Sequence, residues 1–167
     1  ASSGVGKSFF MLNLALAITT GKVKFLDKFS IQQARTLYLD FELGESVHKS
    51  RLLTMCAQEN LGADALFIKH LSPIDLLDAE WQSWLESQLS SLKIEVLILD
   101  PLSNIWVGDE NAKVEVSRLT GFLDSLINKF KISVCVVHHW RKATKEFKAG
   151  GQMASGSHKW SAWLEHH

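Results

Sequence analysis

Apolar residues fall along the chain in blocks whose spacing alternates between two periods. From Lys7 to Thr20 the positions are mostly apolar on every side, as in a helix buried against a sheet, and Gly21 ends it. Arg35 to Asp40 is a short β-rich run in which Leu37 and Leu39 alternate with Tyr38. Glu45 to Glu59 reads as a helix, with Val47, Leu52, Leu53, Met55 and Cys56 as its inward stripe. Leu66 to His70 is a short strand closed off by Ser72-Pro73. Ala79 to Leu92 is amphipathic, carrying Trp81, Trp84, Leu85, Leu89 and Leu92 at three- and four-residue spacing. Glu95 to Asp100 is a continuous apolar strand tipped by a carboxylate, Val114 to Phe130 is a further helix, and Ile132 to Val137 is a wholly apolar strand running into His138 and His139. No internal repeat or low-complexity block interrupts the series.

Strands alternating with helices, two of the strands apolar throughout, predict an α/β fold: a mainly parallel sheet flanked by helices on both faces. In such sheets ligands bind beyond the carboxyl ends of the strands. Asp40, Asp100 and His138 all stand at those ends.

The chain has 167 residues, enough for one domain with a substantial core. Its 18 Lys and Arg residues balance 18 Asp and Glu, so no overall positive field attracts nucleic acid, and any such contact must come from a local patch. Cys56 and Cys135, both in apolar surroundings, read as free buried thiols in a reducing compartment. The longest apolar run, Phe9 to Ile18, contains Asn13 and is far too short to span a bilayer, so a cytoplasmic location without membrane association is expected. The chain starts inside a phosphate-binding loop, and the strand that should precede such a loop is expected to be missing. Residues 1–163 are expected to form the core domain without its first strand and its C-terminal strands. Leu164 to His167 reads equally well as the start of a purification tag or as native sequence.

The opening Ala1-Ser-Ser-Gly4-Val-Gly6-Lys7-Ser8 fits the phosphate-loop pattern at every place except the first, where Ala1 replaces glycine. Gly4 and Gly6 let successive backbone N–H groups converge on phosphate oxygens, and the helix that follows at once presents its positive end to the same anion. The nucleotide-binding stretch is Ser3, Gly4, Val5, Gly6, Lys7, Ser8 and Phe9. Lys7 also acts catalytically, as a cation at the β- and γ-phosphates, and the Ser8 hydroxyl reaches Mg²⁺. The bland alternative is a Gly/Ser-rich turn before a buried helix; the helix and the carboxylate-tipped strand downstream weigh against it.

Asp100 is the expected second half of the metal site, since a carboxylate on a rigid strand end can orient Mg²⁺ through a bound water. Hydrolysis also needs a group that positions or deprotonates water. Glu42, two residues past the strand ending at Asp40, is the candidate; Asp40 is its competitor, and a solvated acidic loop is the plain alternative. His138 or His139 could hydrogen-bond the γ-phosphate. From His139 to Gly151 the chain carries Arg141, Lys142, Lys145 and Lys148 against Glu146, with Trp140 and Phe147 interleaved. Such a loop could bind backbone phosphates and stack bases, or be an ordinary solvated surface loop.

Together these residues resemble the RecA-type ATPases, and most closely the branch containing the plasmid hexameric replicative helicase RepA and related phage and mobile-element ATPases. The resemblance rests on Ala1 to Ser8, Leu37-Tyr-Leu-Asp-Phe-Glu42, Leu97-Ile-Leu-Asp100-Pro-Leu, Asp109-Glu110-Asn111, Val137-His-His139 with Lys142, and Gly156-Ser157. It implies a homo-oligomeric ring, usually of six subunits, with ATP and Mg²⁺ bound between neighbours. It also implies a catalytic role for Glu42, a metal-site role for Asp100, a γ-phosphate-sensing role for the His138-His139 pair, and a single-stranded DNA channel lined by the loops after Asp100 and Val137. One position departs from the pattern: relatives carry an arginine before the Gly-Ser pair, and here it is Ser155. An arginine finger contributes about 10³–10⁵ in rate, roughly 4–7 kcal/mol. Either Arg141 or Lys142 substitutes for it, or hydrolysis is slow. The expected function is therefore a DNA-coupled ATPase motor, with an ATP-dependent regulatory or assembly module as the alternative and a small-molecule kinase as a third reading.

Overall fold

The computed structural model describes residues 6–59, 64–107, 113–138 and 163. The apolar runs become four strands, β1 (Thr36–Asp40), β2 (Leu66–His70), β3 (Val96–Asp100) and β4 (Ser133–Val136). All pair in parallel, in the order β2-β1-β3-β4. Helices α1 (Lys7–Thr20), α2 (Glu45–Glu59), α3 (Ala79–Ser91) and α4 (Lys113–Phe130) make the connections, with a 3₁₀ turn at Leu102–Asn104.

The period of two along the central strands distributes the core over both faces. Leu37 and Leu39 of β1 and Leu97 and Leu99 of β3 are fully buried against Leu85 and Leu89 of α3 and Val116, Leu119, Leu123 and Leu126 of α4. The intervening Tyr38 and Ile98 turn the other way and meet Met11 and Ala15 of α1. Leu12 and Leu16 of α1 pack with Met55 of α2 and, at the edge, with Ile68 of β2. The expected α/β core, a parallel sheet with helices on both faces, is what forms. Truncating Leu97 to alanine removes a fully buried side chain from a central strand and is expected to destabilise the fold by about 2–5 kcal/mol, read from denaturant midpoints.

Two glycines are fixed by backbone geometry. Gly21 ends α1 in the left-handed region (φ 61°), its N–H bonded to Ala17 O at 2.9 Å. A Cβ there would lie 2.9 Å from Gln33 Cβ. Gly6 precedes α1 at φ 83°, a conformation that favours glycine.

The predicted inward stripe of α2 needs correction. Val47 and Leu53 face solvent, at 39% and 61% exposure. Leu52, Met55 and Cys56 of that stripe do pack inward, and His48 joins them at the i, i+4, i+7, i+8 spacing of a single face. A buried carboxylate on β1, described below, lies opposite His48, and the polar residue takes the inward position that apolarity alone assigns to Val47. Trp81 and Trp84 of α3 stack edge to face at 5.6 Å and pack against the main core, as their spacing predicts. Trp163 returns to the same side, its indole N–H donating to Asp124 at 2.6 Å. Cys56 and Cys135 are free and partly buried, and burial pushes both thiols up. Among the described residues no helix is long and apolar enough to cross a membrane.

Candidate functional site

The carboxyl ends of the strands and the start of α1 lie on one rim. The first bond within α1 runs from Phe10 N–H to Gly6 O at 2.8 Å, and among the described residues no side chain caps the helix. The amides ahead of that bond, from Lys7 to Phe9, form the end of a helix dipole suited to an anion. Between this turn and β4 opens a cleft of about 340 Å³, with Gly6, Lys7, Phe10 and Met11 on one side and Val136, Val137 and His138 on the other. Lys7 and His138, far apart in sequence, thus share one cavity. Phe9, also expected at the nucleotide, is half-exposed beside it.

Asp100 stands one strand over from this cleft, at the tip of β3 and on the sheet face that α1 covers, since Ile98 two residues before it packs with Met11 of α1 and with Val137. Its carboxylate is buried. Oδ2 accepts a hydrogen bond from the Tyr38 hydroxyl at 2.5 Å. Burial, reinforced by the Asp100 charge, pushes the Tyr38 phenol far up, so it remains a proton donor. Asp100 Oδ1 is buried with no hydrogen-bond partner among the described residues. A buried carboxylate oxygen without a donor is unfavourable unless a cation or its bound water reaches it. The Asp100 carboxylate and the Ser8 hydroxyl are hard oxygen donors, the type Mg²⁺ takes, and the residues present therefore fit that ion. Phenylalanine at position 38 keeps the ring packing and removes the hydroxyl. Tyr38→Phe is expected to lower stability by about 1–3 kcal/mol in magnesium-free buffer, measured by chemical denaturation.

The register of β1 against β2 and β3 sets His70, Asp40 and Asp100 in one row across the sheet. Asp40 is 1% exposed and both of its oxygens are engaged. Oδ1 accepts from the backbone N–H groups of Glu42 and Leu43 at 3.2 and 3.0 Å, folding the loop after β1 into a turn. Oδ2 lies 2.8 Å from His70 Nδ1 and 3.7 Å from His48 Nδ1. Because His70 Nδ1 also faces Leu43 O at 3.3 Å, this nitrogen carries the proton and donates to both acceptors. Glu42, by contrast, is exposed on the turn that Asp40 holds. Of the two carboxylates that competed for the water-activating role, one is tied up in structure and the other faces outward.

His48 and Tyr38 escaped the sequence reading because only parallel pairing and the rotation of α2 bring them to the rim. His70 carried a signal that could have been used: it ends its strand just as Asp40 and Asp100 end theirs. Ser3, Gly4 and Val5 of the phosphate loop, His139, the basic residues Arg141, Lys142, Lys145 and Lys148, and Ser155 lie outside the described residues.

Comparison with known proteins matches residues 1–145 to the family model described as "AAA domain". No curated protein matches the chain.

Proposed function

The chain belongs to the AAA domain family, and with that as premise we propose that it is an ATP-hydrolysing RecA-like subunit of a homo-oligomeric ring, six subunits in the relatives it resembles, coupled to single-stranded DNA. The observation that carries the ATPase reading is the shared cavity of Gly6, Lys7 and His138, with a buried Asp100 oxygen in want of a cation one strand away.

On this reading each residue takes a role. The amides at the start of α1 and the Lys7 ammonium bind the phosphates; Ser8 and Asp100 hold Mg²⁺, whose charge stabilises the transferring phosphoryl group when bound. Glu42 orients and deprotonates the attacking water from its exposed turn. His138, or His139 beside it, contacts the γ-phosphate from the end of β4. Arg141, Lys142, Lys145 and Lys148, which come after that histidine pair in the sequence, bind DNA phosphates and transmit the nucleotide state to them.

Balanced charge over the whole chain and serine at position 155 favour a second reading, a slow ATP-dependent regulatory module without motor activity. Steady-state ATPase with and without single-stranded DNA, on full-length protein of measured mass in solution, separates the two. Stimulation by DNA in an oligomer is expected. A rate indifferent to DNA favours the regulatory module, and an oligomer without any ATPase activity overturns both.

A further inference from the structure

Asp40, His48 and His70 form a second constellation, separate from the phosphate cleft. One ligand atom from each lies within 4.8 Å of the others. Three elements supply them: Asp40 ends β1, His70 ends the neighbouring β2, and His48 descends from the first turns of α2. The rings of His48 and His70 are 5.1 Å apart, and the edge of His48 meets Tyr38 at 5.4 Å.

His48 is the informative member. It is 1% exposed, and neither ring nitrogen has a hydrogen-bond partner among the described residues. Buried imidazole nitrogens are almost always satisfied, and an exception calls for a water or an ion. Burial also pushes its pKa down, which leaves the ring neutral, the form that ligates metals. Opposite it stands a carboxylate whose Oδ2 already lies within 2.8 and 3.7 Å of the two Nδ1 atoms. Ligand atoms around a tetrahedral zinc ion are spaced by about 3.3 Å, as follows from bond lengths of about 2.0–2.1 Å.

We propose that Asp40, His48 and His70 bind a divalent first-row transition-metal ion, zinc foremost. Two imidazoles and one carboxylate are a borderline donor set that suits zinc and its neighbours and disfavours Mg²⁺ and Ca²⁺, which take oxygen ligands. The ion replaces the proton that His70 Nδ1 shares with Asp40, and that proton passes to solvent. Asp40 Oδ1 stays on the backbone N–H groups of Glu42 and Leu43, so the ion braces the loop that carries Glu42 from behind. The site stands on its own geometry and does not depend on the ATPase reading.

The test is calorimetric titration of the full, nucleotide-free chain with zinc chloride in excess magnesium, with Co²⁺ absorption as the spectroscopic counterpart. The wild-type chain is expected to take up one zinc ion, to melt at higher temperature with it, and to give the intense visible bands of a four-coordinate cobalt site. His48→Ala and His70→Asn should each lose that ion and those bands. His70 is 23% exposed and asparagine keeps a donor toward Asp40, so this variant retains its fold even where His48→Ala does not. Zinc uptake unchanged in His70→Asn places the ion on other histidines and overturns the proposal, as does a wild-type chain that binds none.

Discussion

Glutamine in place of Glu42 is expected to leave nucleotide binding intact and to lower ATP turnover by about 10²-fold or more, the usual contribution of a general base. The substitution keeps the size and shape of the side chain and removes its negative charge and its ability to accept a proton. It also leaves the backbone of the turn untouched, because that turn is held by Asp40 Oδ1 on the N–H groups of Glu42 and Leu43. Steady-state kcat together with equilibrium nucleotide binding reads both halves of the prediction. Wild-type turnover in the variant removes Glu42 from the chemistry. The nearby Asp40 cannot be probed as cleanly, since its replacement releases the turn and His70 at once.

Alanine in place of Lys7 acts on the earlier step. Lys7 lines the cleft that His138 shares, and a hydrogen bond to a charged group contributes about 1.5–3 kcal/mol. Lys7→Ala is therefore expected to weaken ATP binding by about 10- to 100-fold, measured by titration with a fluorescent nucleotide analogue. The fold should be unaffected, because Lys7 is only half-buried and opens the helix rather than packing inside it. Binding at wild-type strength places the phosphates elsewhere on the rim.

The elements were legible because their periods are unambiguous. Helix α1 has no polar face to hide its burial, and the central strand β3 runs apolar up to a single acidic tip. Candidate site residues adjacent in sequence to a strand end or a glycine turn stand out for the same reason: Gly6, Lys7, Ser8, Asp40, Glu42, Asp100 and His138 are punctuation marks at element boundaries. What could not be read is whatever depends on neighbours brought in sideways. Tyr38 looks like an alternating strand residue, and its bond to Asp100, 62 residues away, exists only because β1 and β3 pair in parallel with that offset. The rotation of α2 is a tertiary choice as well. Apolarity selects Val47 and Leu53 for the interior, yet the helix leaves both exposed and turns His48 inward opposite the buried Asp40 carboxylate.

That offset also dictates where the chain can change length. A strand residue faces the opposite layer if its neighbours slip by one. Deleting a single position within Thr36–Asp40 would send the acid at its tip into the leucine-rich layer beneath α3 and α4 and turn a leucine toward the histidines. The same deletion between Lys22 and Ala34, outside the sheet, would leave the row of tips aligned. Homologous chains should therefore vary freely in the segment between α1 and β1 while holding the spacing from Thr36 to Glu42 constant, a pattern of gaps imposed by the sheet and independent of what any one side chain does.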